Sequence, residues 1–220
     1  IMTNKYMYFI ANWKMFGDLT SLNSLNKVIK FSNKYKKKKF KLIYCPPYTL
    51  LDSFSKKLKK TRIEIGAQNC HFEISSGPFT GSISPQMLKK IGSNYVIIGH
   101  SENRTLGETD YQINKKINSS LKCSLKIIFC IGETLIQKKK KITNKILKKQ
   151  ILNGLSKIKN VNKVLIAYEP VWSIGTGIVP KTSELRSTII FIKSVFKKKF
   201  KIKNPKILYG GSVNPKNAKI

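Results

Sequence analysis

The sequence predicts an α/β protein built on a parallel sheet. Short apolar runs recur along the 220 residues, and a polar residue or a glycine closes each of them. The segments between the runs place apolar residues at the spacing of an amphipathic helix. Strands that alternate with helices are typical of a parallel sheet covered by helices, and we expect a single domain over residues 1–220.

The apolar runs are expected to be the strands. They are residues 6–11, 40–44, 63–67, 95–98, 125–131, 164–168 and 206–209. Helical spacing is clearest in residues 19–29, 142–158 and 185–196. Ser84 offers a helix cap with proline at the first helical position, and Thr182 is expected in the N-cap region of the last of these helices.

Polar residues that could carry chemistry follow the runs directly. In a (β/α) barrel and in a doubly wound sheet alike, the active site lies at the carboxyl ends of the strands. The first run is not followed by GxGxxG, and the sequence contains no GxxxxGK[ST]. Their absence argues against a dinucleotide or nucleoside triphosphate site, and it leaves both sheet architectures open.

One such residue, Glu169, ends the run at 164–168. Pro170 stops the strand, and a short apolar stretch with two glycines follows, Gly175 and Gly177. We call residues 170–180 the lid segment. A lone carboxylate before a mobile loop favours proton transfer under a closing lid, and the alternative is a surface glutamate before an ordinary turn.

The net charge of +33 is extreme for 220 residues. A nucleic acid or an acidic membrane would be a natural partner for such a charge. However, the lysine runs are scattered between the strands, lysine, asparagine and isoleucine are abundant throughout, and no RNP, KH or zinc-finger pattern accompanies them. We therefore interpret the charge as compositional and expect no nucleic-acid partner.

The cysteines and histidines indicate neither disulfides nor a metal. The four cysteines lack CxxC spacing and are expected to be buried free thiols in a reducing cytoplasm, and two histidines are too few for a zinc site. No apolar run reaches the ~18 residues of a membrane helix, and we recognise no secretory signal. The cysteines are Cys45, Cys70, Cys123 and Cys130.

A connection of unusual length follows the third run. Residues 68–87 contain glycines and prolines with Phe79 near the tip, and loops this long are often functional or interfacial. An aromatic residue at such a tip is exposed unless another surface receives it.

Five motifs together carry a resemblance to a known family. Each lies at a strand end, and they occur in the order and with the spacing of the triosephosphate isomerase family, which the chain resembles from residue 6 onward. They are NWKM at 12–15, GHSE at 99–102, CIGET at 130–134, AYEPVWSIGTG at 167–177 and YGGSV at 209–213.

The resemblance implies a (β/α)8 TIM barrel. It also implies an isomerase of glycolysis and gluconeogenesis that interconverts dihydroxyacetone phosphate and D-glyceraldehyde 3-phosphate through an enediolate, without a metal or cofactor. Two rivals are a basic nucleic-acid-binding protein on an old enzyme scaffold and another phosphosugar enzyme of the same architecture. The set of Lys14, His100 and Glu169 argues against the second rival.

The resemblance assigns chemistry to this set. Glu169 is the expected base, made more basic by desolvation under the lid. His100 precedes a predicted helix start, which disfavours the imidazolium, and this family is itself the established example of a neutral histidine electrophile. Lys14 supplies a fixed positive charge near the enediolate and phosphate.

Other positions match the family's binding residues. Asn12 matches a residue that contacts the substrate, and Gly175 and Ser212 match phosphate contacts made through backbone N–H groups. Glu102 and Glu133 match carboxylates that hold Lys14 and Trp172, although either could be a simple acid at a helix start. Phe79 and Thr80 match the loop that inserts into a neighbouring subunit, so we expect a homodimer.

Three departures from the family are visible. The chain ends within what resembles the seventh helix, so the eighth βα unit with its phosphate turn is expected to be missing. Pro180 has no N–H to receive the hydrogen bond that the tyrosine matching Tyr209 makes in many relatives. Asn103 stands where an arginine is common.

Overall fold

A computed structural model describes residues 6–214, in which strands alternate with helices. The strands are β1 (Met7–Asn12), β2 (Phe40–Cys45), β3 (Glu64–Ala67), β4 (Tyr95–Ile98), β5 (Lys126–Ile131), β6 (Val164–Tyr168) and β7 (Lys206–Tyr209). The helices are α1 (Leu25–Lys34), α2 (Tyr48–Leu58), α3 (Pro85–Lys90), α4 (Ser101–Thr105), α5 (Asp110–Lys122), α6 (Leu135–Lys139), α7 (Thr143–Gly154) and α8 (Thr182–Phe200).

Among the described residues, the first compact unit comprises 6–97 together with 119–126. Its strands are parallel and lie in chain order, with Asn12 opposite Cys45 in the β1–β2 register and Gly66 opposite Tyr95 in the β3–β4 register. Part of its core is formed by the buried side chains of β2 and α2, which are Ile43, Cys45, Leu50, Leu51, Phe54 and Leu58.

The second compact unit comprises the described residues 98–118 and 127–214. Strands β5, β6 and β7 are parallel and in chain order, with Ile131 opposite Tyr168 and Tyr168 opposite Tyr209. Every residue of β6 is buried, as expected for a strand of a parallel sheet covered on both faces. The register places the polar residues after β5, β6 and β7 at the same edge.

The structure confirms the predicted strands, each to within one residue at either end. Ser84 caps α3 through its side chain, with Pro85 at the first helical position, so the long loop ends at 84. The prediction for Thr182 is wrong, since Thr182 is already helical and Lys181 is the N-cap, without a side-chain bond. The expected helix at the end of the chain lies outside the described residues.

Candidate active site

Glu169 lies directly after β6 with its side chain turned into the second unit. Only 9% of the residue is exposed, which is unusual for a carboxylate. Its backbone N–H donates to the Ile131 carbonyl at 2.8 Å, which continues the β5–β6 pairing one residue past the strand. The buried Cys130 thiol donates to Glu169 Oε1 at 3.3 Å. The carboxylate is thus fixed by the ends of two adjacent strands.

His100 faces this carboxylate. Gly99 turns the chain after β4 with φ of +75°, and His100 becomes the N-cap of α4. His100 Nδ1 accepts the Glu102 backbone N–H at 3.2 Å, while Nε2 lies 3.6 Å from Glu169 Oε2. An imidazole that accepts at Nδ1 carries its proton at Nε2, on the side of Glu169. The Glu102 carboxylate itself lies mostly in solvent, 3.5 Å from Nδ1.

Two glycines make room for Glu169. A methyl group at Gly210 would lie 2.8 Å from Glu169 Cγ, and one at Gly132 would lie 1.8 Å from the Glu169 carbonyl oxygen. Real contacts of this kind do not fall below 3.0 Å. Glycine at these two positions is therefore a packing requirement of the Glu169 backbone and side chain.

Glu133 holds the beginning of the lid segment. This carboxylate is 1% exposed and accepts the Trp172 indole N–H at 2.9 Å and the Tyr168 hydroxyl at 3.1 Å. Burial, and then the charge of Glu133, raise the pKa of Tyr168 far above its usual value, so the phenol remains a donor. On its outer face Trp172 carries the Lys138 ammonium, 3.6 Å from the ring centroid.

The far part of the lid segment is exposed and contains glycines in the left-handed region, Gly175 with φ of +71° and Gly177 with φ of +73°. Tyr209 does not bond at Pro180 but lies 3.1 Å from the Ser173 hydroxyl, and the Ser212 hydroxyl donates to the Ser173 carbonyl. Because Pro180 has no N–H, Tyr209 binds the near end of the lid segment, at Ser173, and not its far end.

Asn12 and Lys14 lie together after β1 in the first unit. Lys14 has φ of +52°, an uncommon conformation for a residue with a side chain. The Asn12 side chain accepts the Lys14 N–H at 3.0 Å, and the Gln68 amide donates to the Lys14 carbonyl at 2.8 Å and the Cys45 carbonyl at 2.9 Å. These bonds hold the Lys14 backbone in its strained turn.

The long loop after β3 folds over its own aromatic residues. The Phe79 ring is tilted against His71 with centroids 4.4 Å apart, and His71 stacks on Phe72 at 4.2 Å. The His71 N–H donates to the Ile83 carbonyl at 2.8 Å and closes the base of the loop. Phe79 is still 38% exposed, so the chain covers only part of this ring.

Sequence reasoning did not find three residues that brace these side chains. Gln68 follows a predicted strand, Cys130 begins the CIGET motif and is expected to be a buried thiol, and nothing in the sequence marks Arg104. Arg104 donates to the Gly99 carbonyl at 2.8 Å and pairs with Asp110 at 2.8 Å, so it fixes the turn before His100. Position at a strand end was a usable signal for Gln68 and Cys130, whereas Arg104 follows the neighbouring Asn103 within a helix.

The described part of the chain offers no cluster of three or more histidine, cysteine or acidic side chains that could hold a metal ion. Its four cysteines are free thiols, and all but Cys123 are buried. Burial raises the pKa of the Cys45 thiol to about 12. Among residues 6–214, no helix has the length and apolar character needed to cross a membrane.

Comparison with known sequences identifies the family. A profile of the triosephosphate isomerase family matches residues 7–220. The triosephosphate isomerases of Dictyoglomus thermophilum and Thermodesulfovibrio yellowstonii are each 41% identical to this chain, over 214 and 216 residues. The alignments cover 94% and 96% of this chain and 85% and 87% of those relatives.

Comparison with solved structures agrees. The crystal structure of triosephosphate isomerase from Bartonella henselae superimposes with a TM-score of 0.88 at 34% identity, covering 97% of this chain and 86% of that one. The predicted TIM barrel is thereby confirmed, and residues 6–214 supply seven of the eight strands of such a barrel. The chain therefore belongs to the triosephosphate isomerase family, the isomerases of glycolysis that interconvert dihydroxyacetone phosphate and D-glyceraldehyde 3-phosphate.

Proposed function

We propose that Glu169 is the base that moves the proton between the two carbons of the triose phosphate and that neutral His100 polarises the oxygens. The observation that carries this is the pair itself, two buried side chains with Glu169 Oε2 and His100 Nε2 3.6 Å apart. A carboxylate accepts a carbon-bound proton, and an Nε2–H donates to the oxygen that gains charge.

The hydrogen bonds around His100 support the neutral form. Its Nδ1 accepts a backbone N–H, and an imidazolium has no acceptor at that atom. Protonation of His100 would therefore break this bond at the start of α4. It would also place a positive charge next to the partial positive charge of a helix N-terminus. The neutral ring keeps both contacts, with Glu102 N–H on one side and the reacting oxygens on the other.

Lys14 and Asn12 supply the substrate contacts of the first unit in this proposal. Asn12 fixes the Lys14 turn through the N–H at 3.0 Å and so limits where the ammonium can go. A positive charge held in place stabilises an enediolate more effectively than one that must reorganise. Gly175 and Ser212 are proposed to bind the phosphate through backbone N–H groups, since the glycine carries no side chain to block the approach.

The test of the base is Glu169→Asp. Shortening the side chain withdraws the carboxylate by about 1 Å, which should lower kcat by roughly 100-fold while KM changes little. Glu64→Asp is the matched control, because Glu64 lies at the start of β3 and pairs with Lys41 at 2.8 Å, and this variant should keep wild-type kcat. Glu169 would be excluded as the base if the variant kept wild-type kcat, or if its KM rose by the same factor as its kcat fell.

We also propose that the enzyme is a homodimer whose interface includes the long loop. Phe79 is partly exposed at its tip, and two further large apolar residues of the same unit lie mostly in solvent, Met15 and Phe16 at 95% and 73% exposure. Exposed apolar groups of this size are typical of an interaction surface.

The buried free thiols fit a reducing compartment, and we propose the cytoplasm as the location.

Sedimentation tests the dimer. Replacing Phe79 and Thr80 with aspartate and glutamate places charge at the proposed interface and should give monomers with much lower activity. Ile190→Asp, at an exposed apolar residue of α8, is the control and should remain dimeric. A wild-type enzyme that sediments as a monomer at micromolar concentration would refute the proposal.

A further inference from the structure

The segment after β5 runs beside the segment that carries Glu169. Two backbone hydrogen bonds join them, from the Glu169 N–H to the Ile131 carbonyl at 2.8 Å and from the Val171 N–H to the Glu133 carbonyl at 3.0 Å. The position of residues 131–133 therefore sets the position of residues 169–171.

The peptide groups of Gly132, between these two bonds, face away from Glu169 toward α7. Gln150 on α7 takes both of them: its side-chain oxygen accepts the Gly132 N–H at 2.9 Å, and its side-chain nitrogen donates to the Gly132 carbonyl at 3.0 Å. The side-chain amide thus supplies the acceptor and the donor that a neighbouring strand supplies within a sheet. A matched pair of bonds fixes the glycine in both position and orientation.

Gly132 has no freedom to move toward Glu169. A methyl group there would lie 1.8 Å from the Glu169 carbonyl oxygen, so the two backbones are already in contact. A shift of Gly132 is consequently passed to the Glu169 backbone by contact on one side and by the two flanking hydrogen bonds on the other. Packed backbones transmit small displacements in this way because the interior has no space to absorb them.

We propose that Gln150 is a positioning residue for the Glu169 carboxylate, acting through Gly132. The proposal rests on the role of Glu169 as the base. Gln150 makes no contact with the reacting atoms in this scheme; it holds the end of β5 on α7 so that the carboxylate stays in the geometry for proton transfer. Proton transfer depends on alignment to within a fraction of an ångström, whereas ground-state binding of a phosphate depends on it much less.

The first test is Gln150→Met, which keeps the length of the side chain and removes both hydrogen bonds. We expect kcat to fall about 10- to 100-fold with KM changed less than about threefold. Asn114→Leu is the matched control, because the Asn114 amide also makes two bonds to backbone, with the Gly154 and Ser156 carbonyls at 2.9 Å each. It should lower the melting temperature to a similar extent and leave kcat unchanged.

The second test, Gln150→Glu, gives a signature that a loss of stability alone cannot produce. A protonated carboxyl can accept from the Gly132 N–H and donate to its carbonyl, as the amide does, whereas a carboxylate faces that carbonyl with a negative oxygen. The ratio of the kcat of this variant to that of the wild type should therefore be near one at low pH. This ratio should fall as pH rises through the pKa of the new carboxyl. The wild-type amide does not titrate.

The outcomes separate the two proposals. Wild-type kcat in a folded Gln150→Met variant, an equal loss of kcat in Asn114→Leu, or a ratio for Gln150→Glu that does not vary with pH overturns the role of Gln150. If Glu169→Asp, assayed alongside, loses activity in that case, the base assignment stands. If Glu169→Asp keeps wild-type kcat, the base assignment fails and the Gln150 proposal fails with it.

Discussion

Gly132→Ala should impair catalysis through a clash whose size the structure gives. The added methyl carbon would lie 1.8 Å from the Glu169 carbonyl oxygen and 2.6 Å from its carbon, whereas such contacts stay at 3.0 Å or more. The two backbones must therefore separate by roughly 1.2 Å, a distance at which misplacement of a reacting group lowers the rate by about 100-fold. Both clashing atoms belong to backbone, so no side-chain rotation can relieve them.

Steady-state kinetics of three alanine variants tests this reasoning. Gly154→Ala clashes with the Phe129 ring at 2.4 Å, away from the Glu169 backbone, and should cost about 1–3 kcal/mol of stability without changing kcat per folded molecule. Gly210→Ala would place its methyl carbon 2.8 Å from Glu169 Cγ, a smaller overlap than at Gly132, and should give an intermediate loss of kcat. A Gly132→Ala enzyme with wild-type kcat, or a Gly154→Ala enzyme that loses as much, would refute the argument.

Three further predictions concern the lid segment, the thiols and the charge. Lys138→Met removes a cation 3.6 Å from the Trp172 ring centroid, a contact worth about 0.5–1 kcal/mol at a partly exposed site. In a Trp13→Phe background, where Trp172 is the remaining tryptophan, acrylamide should therefore quench its fluorescence more strongly. Unchanged quenching would contradict this. Burial raises the pKa of the Cys45 thiol to about 12, whereas Cys123 is partly exposed. A thiol reagent at pH 8 should therefore modify Cys123 first in the folded enzyme and leave Cys45 intact until the protein unfolds. Modification of Cys45 before unfolding would contradict the burial of this thiol. The net charge of +33 should attract a dianionic substrate, so kcat/KM should fall as salt is added while kcat stays constant; a salt-independent kcat/KM would argue against electrostatic steering.

The sequence predicted the elements and the approach of His100 to Glu169 for one physical reason. Apolar runs of strand length are visible without a structure, and parallel strands end at a common edge, so polar residues at those ends converge. His100 and Glu169 follow two such runs, and their polar atoms lie 3.6 Å apart. The N-cap at Ser84 was predictable as well, because its hydrogen bond is local.

Bonds from side chains to distant backbone could not be predicted. Gln150 lies 18 positions from Gly132 on a helix whose polar residues look solvated, and Gln68 reaches Lys14 across 54 positions. Such contacts depend on how helix and strand ends meet, which periodicity does not encode. The same limit explains Tyr209, whose bond to Ser173 follows from the path of the lid segment.

The central claim is that Glu169 removes the proton that the isomerase moves, and hydrogen exchange measures this directly. Dihydroxyacetone phosphate is incubated in deuterium oxide with the wild type and with Glu169→Gln, and exchange of the C1 hydrogen is followed by NMR while bound substrate is quantified separately. The account predicts rapid exchange with the wild type and a rate at least about 100-fold lower in the variant, with substrate still bound. Exchange at the wild-type rate in the Glu169→Gln enzyme would contradict it.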